Sequence, residues 1–309
     1  TMTTTTKPLT LLPEYLGHQA VLTNQEPGNR KRYTVEGFPS YFAGRHYRVG
    51  DHRFAEPYIS VTKILDESIP KPALVPWARN MSLEAVRETL YDNPNPQFLG
   101  QEPRAEWDTW IDSIIEAARN RPDAIRDEAA EWGTEAHKAI QEYIDYIIKD
   151  IGLRIYSPVS QIDTIKAFNT FAAERDIQWL ATELAVWDTE THTAGTVDVV
   201  GRLPNGHLWV GDWKTGNAIY KEAAIQVSAY ATMIEQLYGE TVDEVAVVRF
   251  PREQPEQYGD TQESVIAGDT TNITPLFEIK QVDDIPAGWQ AFLNCVAQAQ
   301  YMKAKIWRE

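Results

Sequence analysis

Two aspartates and a lysine interrupt a pair of apolar, β-branched segments in this sequence. Asp198 lies between Gly-Thr-Val and Val-Val, and Asp212 and Lys214 come after Leu-Trp-Val-Gly. Pro204-Asn205-Gly206 separates the two segments and predicts a tight turn between two strands. In a hairpin centred on Asn205, paired residue numbers sum to 410, so Asp198 faces Asp212. Because side chains alternate along a strand, Lys214 lies on the same face as Asp212.

This predicted arrangement suits a divalent cation. Carboxylates directly opposite each other on a sheet repel, and Mg²⁺ or Mn²⁺ removes the repulsion because both ions prefer oxygen ligands. A lysine beside such an ion can orient a water molecule, help to deprotonate it, or stabilise developing negative charge. The alternative is a surface ion-pair cluster of Asp198, Asp212 and Lys214. The apolar residues that flank each aspartate favour a functional site.

The elements that must position these residues follow an α/β order. An irregular segment with short β-branched pieces is expected over residues 9–66. The predicted helices span residues 73–90, 107–119, 126–150, 160–174, 221–238 and 287–307. The predicted strands span residues 183–187, 196–203, 207–213 and 244–250. This order predicts a central mixed β-sheet flanked by helices, with an N-terminal extension and a C-terminal helix.

Composition limits the classes of protein to which the chain can belong. The formal net charge of −16 on its own argues against a nucleic-acid partner, because phosphate binding depends on Lys and Arg. The single cysteine, Cys295, excludes an internal disulfide framework, a four-thiolate zinc site and a four-cysteine iron–sulfur cluster. No segment approaches about 18 consecutive apolar residues, and the N-terminus lacks the order of a signal peptide. We therefore expect a cytoplasmic protein with no membrane partner.

Asp198 followed by Asp212-Trp213-Lys214 resembles the signature of the PD-(D/E)xK nuclease superfamily. Three further elements are similar to its RecB-like and phage exonuclease branch. They are Gly133-Thr134-Glu135-Ala136-His137, Glu183 on the preceding predicted strand, and Gln226-Val227-Ser228-Ala229-Tyr230. The two parts of the signature, Asp198 and Asp212-Trp213-Lys214, and these three elements occur in the family order within about residues 130 to 230. The resemblance implies a restriction-endonuclease-like core.

The resemblance also assigns the metal ligands. It implies that Mg²⁺ or Mn²⁺ is held by His137, Asp198, Asp212 and the main-chain carbonyl of Trp213. His137 is in helical phase with Ile140 and Ile144, so it points to the interior. Considered alone, such a histidine is more commonly a hydrogen-bonded core residue than a ligand, and only the resemblance favours the ligand.

The remaining roles also come from the resemblance. It implies that Lys214 is the catalytic lysine, acting with Asp198, Asp212 and Glu183. Glu183 binds a second metal or its water, or supports the residues that bind the first. Gln226 and Tyr230 are four residues apart on a helix and so share a face. They are expected to contact DNA, and the alternative is a packing surface.

The expected function is a divalent-metal-dependent DNA nuclease that hydrolyses phosphodiesters by attack of metal-activated water. An exonuclease that acts on DNA ends in phage-type recombination, repair or replication is expected, in the cytoplasm of a bacterium or a phage-infected host. The expected partners are DNA ends or single strands and a single-strand annealing or other recombination protein. The alternatives are a structure-specific or nicking endonuclease and a non-catalytic DNA-binding module. We expect residues 1–66 to form the extension, with about the first eight disordered, and residues 67–309 to form the nuclease domain.

Overall fold

The computed structural model of the chain describes residues 20–23, 32–35, 46–49, 56–92, 104–149, 162–252 and 277–303. The chain divides into two compact units, one of residues 1–69 and 135–309 and the other of residues 70–134. The predicted domain division after residue 66 stays a prediction. The predicted disorder at the N-terminus lies outside the described residues.

The described part of the chain contains nine strands and six helices. The strands are β1 (Ala20–Thr23), β2 (Arg32–Val35), β3 (His46–Val49), β4 (Glu56–Ser60), β5 (Gln178–Asp188), β6 (Thr193–Arg202), β7 (Leu208–Lys214), β8 (Glu244–Arg249) and β9 (Glu278–Gln281). The helices are α1 (Val61–Ser68), α2 (Leu74–Asp92), α3 (Arg104–Lys149), α4 (Ile162–Arg175), α5 (Lys221–Tyr238) and α6 (Ile285–Lys303). None of these helices combines the length and the apolar character needed to cross a membrane.

Seven of the described strands form one mixed sheet, and β1 and β2 form a separate antiparallel pair. The path through the sheet is β3-β4-β6-β7-β8-β9, and β5 pairs antiparallel with β6 over most of its length. The β4–β6 and β7–β8 pairs are parallel, whereas the β3–β4, β6–β7 and β8–β9 pairs are antiparallel. The predicted central mixed sheet flanked by helices is therefore confirmed.

Each face of the sheet is covered by helices, because the strand residues alternate between two apolar clusters. One cluster packs the sheet against α1, α5 and α6 and includes Val200, Leu208, Val210, Val227 and Phe292. The other packs it against α3 and α4 and includes Ile140, Phe168, Phe171, Trp209 and Trp213. Along β7, even-numbered residues therefore face α5 and odd-numbered tryptophans face α3 and α4.

Several predicted elements differ from the structure. The two helices predicted at residues 107–119 and 126–150 are one helix, α3, with Pro122 inside it. A proline removes the hydrogen bond to the carbonyl four residues earlier, here that of Ala118, and the helix continues without it. The segment predicted to be irregular contains β4 and α1, and β9 was missed. Strand β5 is also longer than the predicted strand 183–187.

The close packing beneath β7 depends on Gly211. A Cβ atom at this position would lie 2.2 Å from Cη2 of Trp209 and 2.8 Å from Cγ1 of Val199. Both side chains belong to the buried cluster under α3 and α4, so neither can move freely. Gly216, two residues beyond the end of β7, has no atom within 4 Å of such a Cβ.

We predict that Gly211→Ala lowers the free energy of unfolding by about 1–3 kcal/mol, because the added methyl group overpacks the core. Gly216→Ala is the matched control and should change stability little. Urea denaturation of both variants, followed by circular dichroism, measures the difference. Equal unfolding midpoints for the two variants would contradict the packing described for Gly211.

Candidate metal centre

The β6–β7 hairpin has the predicted register. Gly206 N–H donates to the carbonyl of Leu203 at 2.8 Å, and Leu203 N–H donates to the carbonyl of His207 at 2.9 Å. Gly206 has a φ of +88°, which glycine adopts without strain. The paired positions run from Arg202–Leu208 to Val199–Gly211, and each pair sums to 410. The ladder ends one position before Asp198 and Asp212, so the direct pairing of these two aspartates stays a prediction.

The backbone ladder between β6 and β7 gives way to a side chain at Asp198. The last backbone pair is Val199–Gly211. Beyond it, the Trp213 N–H donates to Asp198 Oδ2 at 2.7 Å. The Asp198 carboxylate therefore accepts the Trp213 N–H in place of a backbone carbonyl of β6, and its side chain lies between the two strands.

Asp212 lies on the face of β7 that is covered by α5 and is 1% exposed. Its Oδ2 is 2.5 Å from Lys214 Nζ, and its Oδ1 accepts a hydrogen bond of 3.2 Å from Gln226 Nε2. Burial raises the pKa of Asp212 to about 6, although Lys214 acts in the opposite direction. Apart from the ion pair with Lys214, Oδ2 accepts no hydrogen bond of normal geometry from the described residues.

Lys214 keeps its proton at neutral pH in this arrangement. Burial would lower its pKa, but the carboxylates of Asp212 and Asp198 more than compensate, so the pKa is raised. Its Nζ also donates to Gln226 Oε1 at 3.4 Å. Lys214 is therefore a fixed positive charge, rather than a base, in the metal-free protein.

His137 extends from α3 toward the same carboxylates. Its Nδ1 is 3.6 Å from Asp198 Oδ2, and its side chain is 28% exposed. Burial would lower the pKa of His137, but the negative charge of Asp198 outweighs it and the pKa is raised. The same pair lowers the pKa of Asp198, although burial opposes this shift. Ile140 and Ile144, on the same face of α3, are fully buried, which fixes the rotation of the helix.

Glu183 completes a group of three possible ligands. Ligand atoms of His137, Glu183 and Asp198 all lie within 4.8 Å of one another. The pairs Thr182–Val199 and Leu184–Val197 flank the position where Glu183 is opposite Asp198. Glu183 has a φ of +49°, a left-handed conformation that is rare in a strand. Backbone strain of this kind is found mainly at functional sites.

The donor set fits a divalent cation. One imidazole and two carboxylates converge, whereas the predicted ligand Asp212 is outside this group, buried and paired with Lys214. Without a cation, Asp198 lies beside His137 and Asp212 forms an ion pair with Lys214. An ion bound here would have to separate at least the first pair. The predicted role of the Trp213 carbonyl stays a prediction, while its ring is buried against Phe168 and Phe171.

The structure brings Gln226 and Tyr230 to the site, but in different surroundings. Gln226 contacts Asp212 and Lys214, and its Nε2 is 3.2 Å from Tyr230 Oη. Tyr230 is only 2% exposed. Its ring packs directly against Gly195, because a Cβ atom added to Gly195 would lie 2.3 Å from Tyr230 Cε1. The contact of Gln226 with DNA stays a prediction, and the burial of Tyr230 favours a role in positioning Gln226.

Glu222 is a residue of the site that the sequence analysis did not identify. It lies one helical turn before Gln226 on α5, and its charge contributes to the raised pKa of Lys214. The four-residue spacing of Glu222, Gln226 and Tyr230 is a signal that could have found it. A single glutamate at the start of a helix is common, however, because it also stabilises the helix dipole.

The comparisons with known proteins do not identify the chain. The sequence matches no protein-family model and no curated protein. Among solved structures, a chain described as "Crystal structure of SSO0001" is similar, with 11% identity and a TM-score of 0.26. The similarity covers 56% of this chain and 75% of that chain. A similarity at this level carries no argument about fold or function.

We predict that the backbone strain at Glu183 can be removed at the expense of cation binding. Glu183→Gly relieves the left-handed strain, whereas Glu183→Gln keeps it and removes only the charge. In EDTA, the glycine variant should have a free energy of unfolding about 1 kcal/mol higher than the glutamine variant. This difference is the strain energy that is relieved minus the cost of the greater backbone entropy of glycine in the unfolded chain. Urea denaturation measures this difference.

We expect Mn²⁺ to raise the melting temperature of the unmodified chain, and both variants should lose most of this rise because each lacks the carboxylate of Glu183. A glutamine variant as stable as the glycine variant would show that the φ of Glu183 carries no strain.

Proposed function

We propose that this chain is a divalent-metal-dependent DNA nuclease of the PD-(D/E)xK superfamily, in its RecB-like branch. The observation that carries the proposal is the convergence of His137, Glu183 and Asp198 beside the ion pair of Asp212 and Lys214. Four separate elements, α3, β5, β6 and β7, supply these five residues. A surface cluster of charges does not require a 1% exposed carboxylate or a left-handed glutamate, so an ion-pair cluster explains the arrangement less well.

The order of elements supports a restriction-endonuclease-like core. Strands β5, β6 and β7 form a continuous antiparallel meander, and α5 then connects β7 to the parallel strand β8. Asp212 and Lys214 end β7, and α5 follows within seven residues. Ligand sites in α/β sheets are favoured at the carboxyl ends of such parallel strands.

We infer that a Mg²⁺ or Mn²⁺ ion is held by His137, Glu183, Asp198 and Asp212. When bound, such an ion supplies charge stabilisation to a phosphodiester and lowers the pKa of the attacking water. Lys214 retains its proton, so its part is to attract the phosphate and to stabilise the negative charge that develops on it. Gln226 holds Asp212 and Lys214 in their relative positions through its two amide atoms.

The reaction proposed is exonucleolytic hydrolysis at DNA ends. The net charge of −16 argues only against tight non-specific binding, since the carboxylates at the site attract phosphate once they hold a cation. DNA binding is therefore expected to be weak, dependent on the cation and sensitive to salt. A recombination or annealing protein would then be needed to deliver the DNA end.

We predict that the chain with Mn²⁺ or Mg²⁺ degrades end-labelled linear DNA but not a covalently closed circle, and that EDTA stops the reaction. Lys214→Ala should lower kcat by about 10²- to 10³-fold, because one charged group that stabilises the transition state is lost. Lys166→Ala is a matched control, since Lys166 on α4 is 68% exposed and should leave kcat unchanged. Single-stranded and double-stranded substrates labelled at either end give the polarity and strand preference.

Three results would count against this proposal. Cleavage of the closed circle at the same rate would make the chain an endonuclease. Unchanged DNA loss in the Lys214→Ala variant would remove the enzyme hypothesis for this site. Binding of DNA without any cleavage would leave a non-catalytic module.

A second prediction concerns pH. A cation binds neutral imidazole and ionised carboxylate, whereas His137 has a raised pKa and Asp212 a pKa of about 6. The affinity for Mn²⁺ should therefore fall as the pH falls through these values, and binding near neutral pH should release protons. Calorimetry in buffers of different ionisation enthalpy measures the proton release. A constant affinity between about pH 5 and 8 would contradict the proposed ligands.

A further inference from the structure

The loop that follows Lys214 is fixed from the neighbouring strands. Arg249 Nη1 donates to the carbonyl of Gly216 at 3.3 Å, and Lys280 Nζ donates to the carbonyl of Ile219 at 3.3 Å. Glu278 joins the two cations, at 2.8 Å from Arg249 Nε and 3.3 Å from Lys280 Nζ. Residues 215–220 are therefore held at two carbonyls, and Ile219 is buried in the apolar cluster beneath α5. The segment is a rigid connection between Lys214 and α5.

Tyr220 is the last residue of this loop and the N-cap of α5. Helices favour Ser, Thr, Asp or Asn at this position, because a short polar side chain accepts a backbone N–H of the first turn. Tyr220 makes no such hydrogen bond, and it is 60% exposed. The chain therefore presents a large aromatic ring to solvent at a position where helix stability favours a small polar side chain.

The ring lies at the same end of α5 as the residues that contact Lys214. Glu222 comes two residues later, and its charge acts on Lys214. Gln226, six residues after Tyr220, donates to Asp212 and accepts from Lys214. Tyr220 therefore lies in the chain between Lys214 and the two residues of α5 that act on it. A DNA strand with a phosphate at Lys214 would pass close to this end of α5.

We propose that Tyr220 stacks on an unpaired nucleobase close to the phosphate that is cleaved. The proposal rests on the proposed nuclease function and deepens it, because it specifies the substrate. An aromatic ring binds any base that exposes its π face, whereas a base inside a duplex is already stacked on both sides. The preferred substrate is therefore a single-stranded or frayed DNA end, without strong sequence preference.

Binding of a fluorescent single-stranded oligonucleotide to the full chain tests the proposal. Fluorescence anisotropy in Ca²⁺ gives Kd, and digestion in Mn²⁺ gives KM and kcat. Tyr220→Ala should raise Kd and KM about 5- to 150-fold, the equivalent of about 1–3 kcal/mol per stacked base, with little change in kcat. Tyr220→Phe should bind like the unmodified chain. Tyr301→Ala is the matched control, because Tyr301 on α6 is also 60% exposed.

Two further comparisons separate stacking from a structural role. An oligonucleotide with abasic sites near its end should bind the unmodified chain and the Tyr220→Ala variant equally, because it offers no base to stack on. Tyr220→Ser introduces a favoured N-cap, so its melting temperature should rise by a few degrees while its Kd for normal DNA is weakened. Loss of DNA binding together with loss of stability in this variant would overturn the stacking proposal.

The remaining outcomes distinguish this proposal from the nuclease function. Cleavage of DNA with equal Kd and KM for Tyr220→Ala and Tyr301→Ala overturns stacking and leaves the nuclease function intact. Binding that depends on Tyr220, without cleavage in Mg²⁺ or Mn²⁺, supports stacking and overturns the nuclease function. Absence of any DNA binding by the unmodified chain overturns both.

Discussion

The hydrogen bond from the Trp213 N–H to Asp198 Oδ2 is the constraint on which the site depends. A backbone N–H buried in a sheet must be satisfied, and between β6 and β7 a carboxylate satisfies it in place of a neighbouring carbonyl. The substitution fixes Asp198 on the strand beside Asp212. It also holds the Asp198 carboxylate 3.6 Å from His137 and opposite Glu183, where the three side chains form the group of possible ligands.

The electrostatic balance of the site follows from that constraint. Burying carboxylates without partners is costly, and here Asp198 lies beside His137 and Asp212 beside Lys214. The pKa of Asp198 falls beside His137, whereas that of Asp212 rises to about 6 because burial outweighs Lys214. Neighbouring carboxylates with pKa values displaced in opposite directions are typical of functional sites. The charges are therefore paired in the structure, and a bound cation would have to replace the contact between His137 and Asp198.

The sequence allowed the register of the hairpin to be predicted as far as the Val199–Gly211 pair, since Pro204-Asn205-Gly206 defines the turn. The placement of His137 could be predicted from the helical phase of Ile140 and Ile144. Other features depend on tertiary contacts that no local pattern reports. Pro122 lies within α3 although it removes one helical hydrogen bond, and β9 is a short strand that forms only by pairing with β8. The left-handed φ of Glu183 is a property of the assembled sheet, because glutamate has no intrinsic preference for it.

Helix α5 positions Gln226 beside Lys214. The helix is fixed on two sides because it packs closely against glycines of β6 and α6. Tyr230 packs against β6 where Gly195 leaves room for its ring, and Ser228 packs against α6 where a Cβ on Gly288 would lie 2.1 Å from its Oγ. Contacts this close allow neither rotation nor translation of the helix without a steric clash. Gln226 lies on the same helix, two residues before Ser228 and four before Tyr230, so the packing of these two residues fixes the position from which its amide reaches Asp212 and Lys214. The buried Tyr230 therefore contributes to the site by fixing the position of α5, and this role requires no exposed surface on Tyr230.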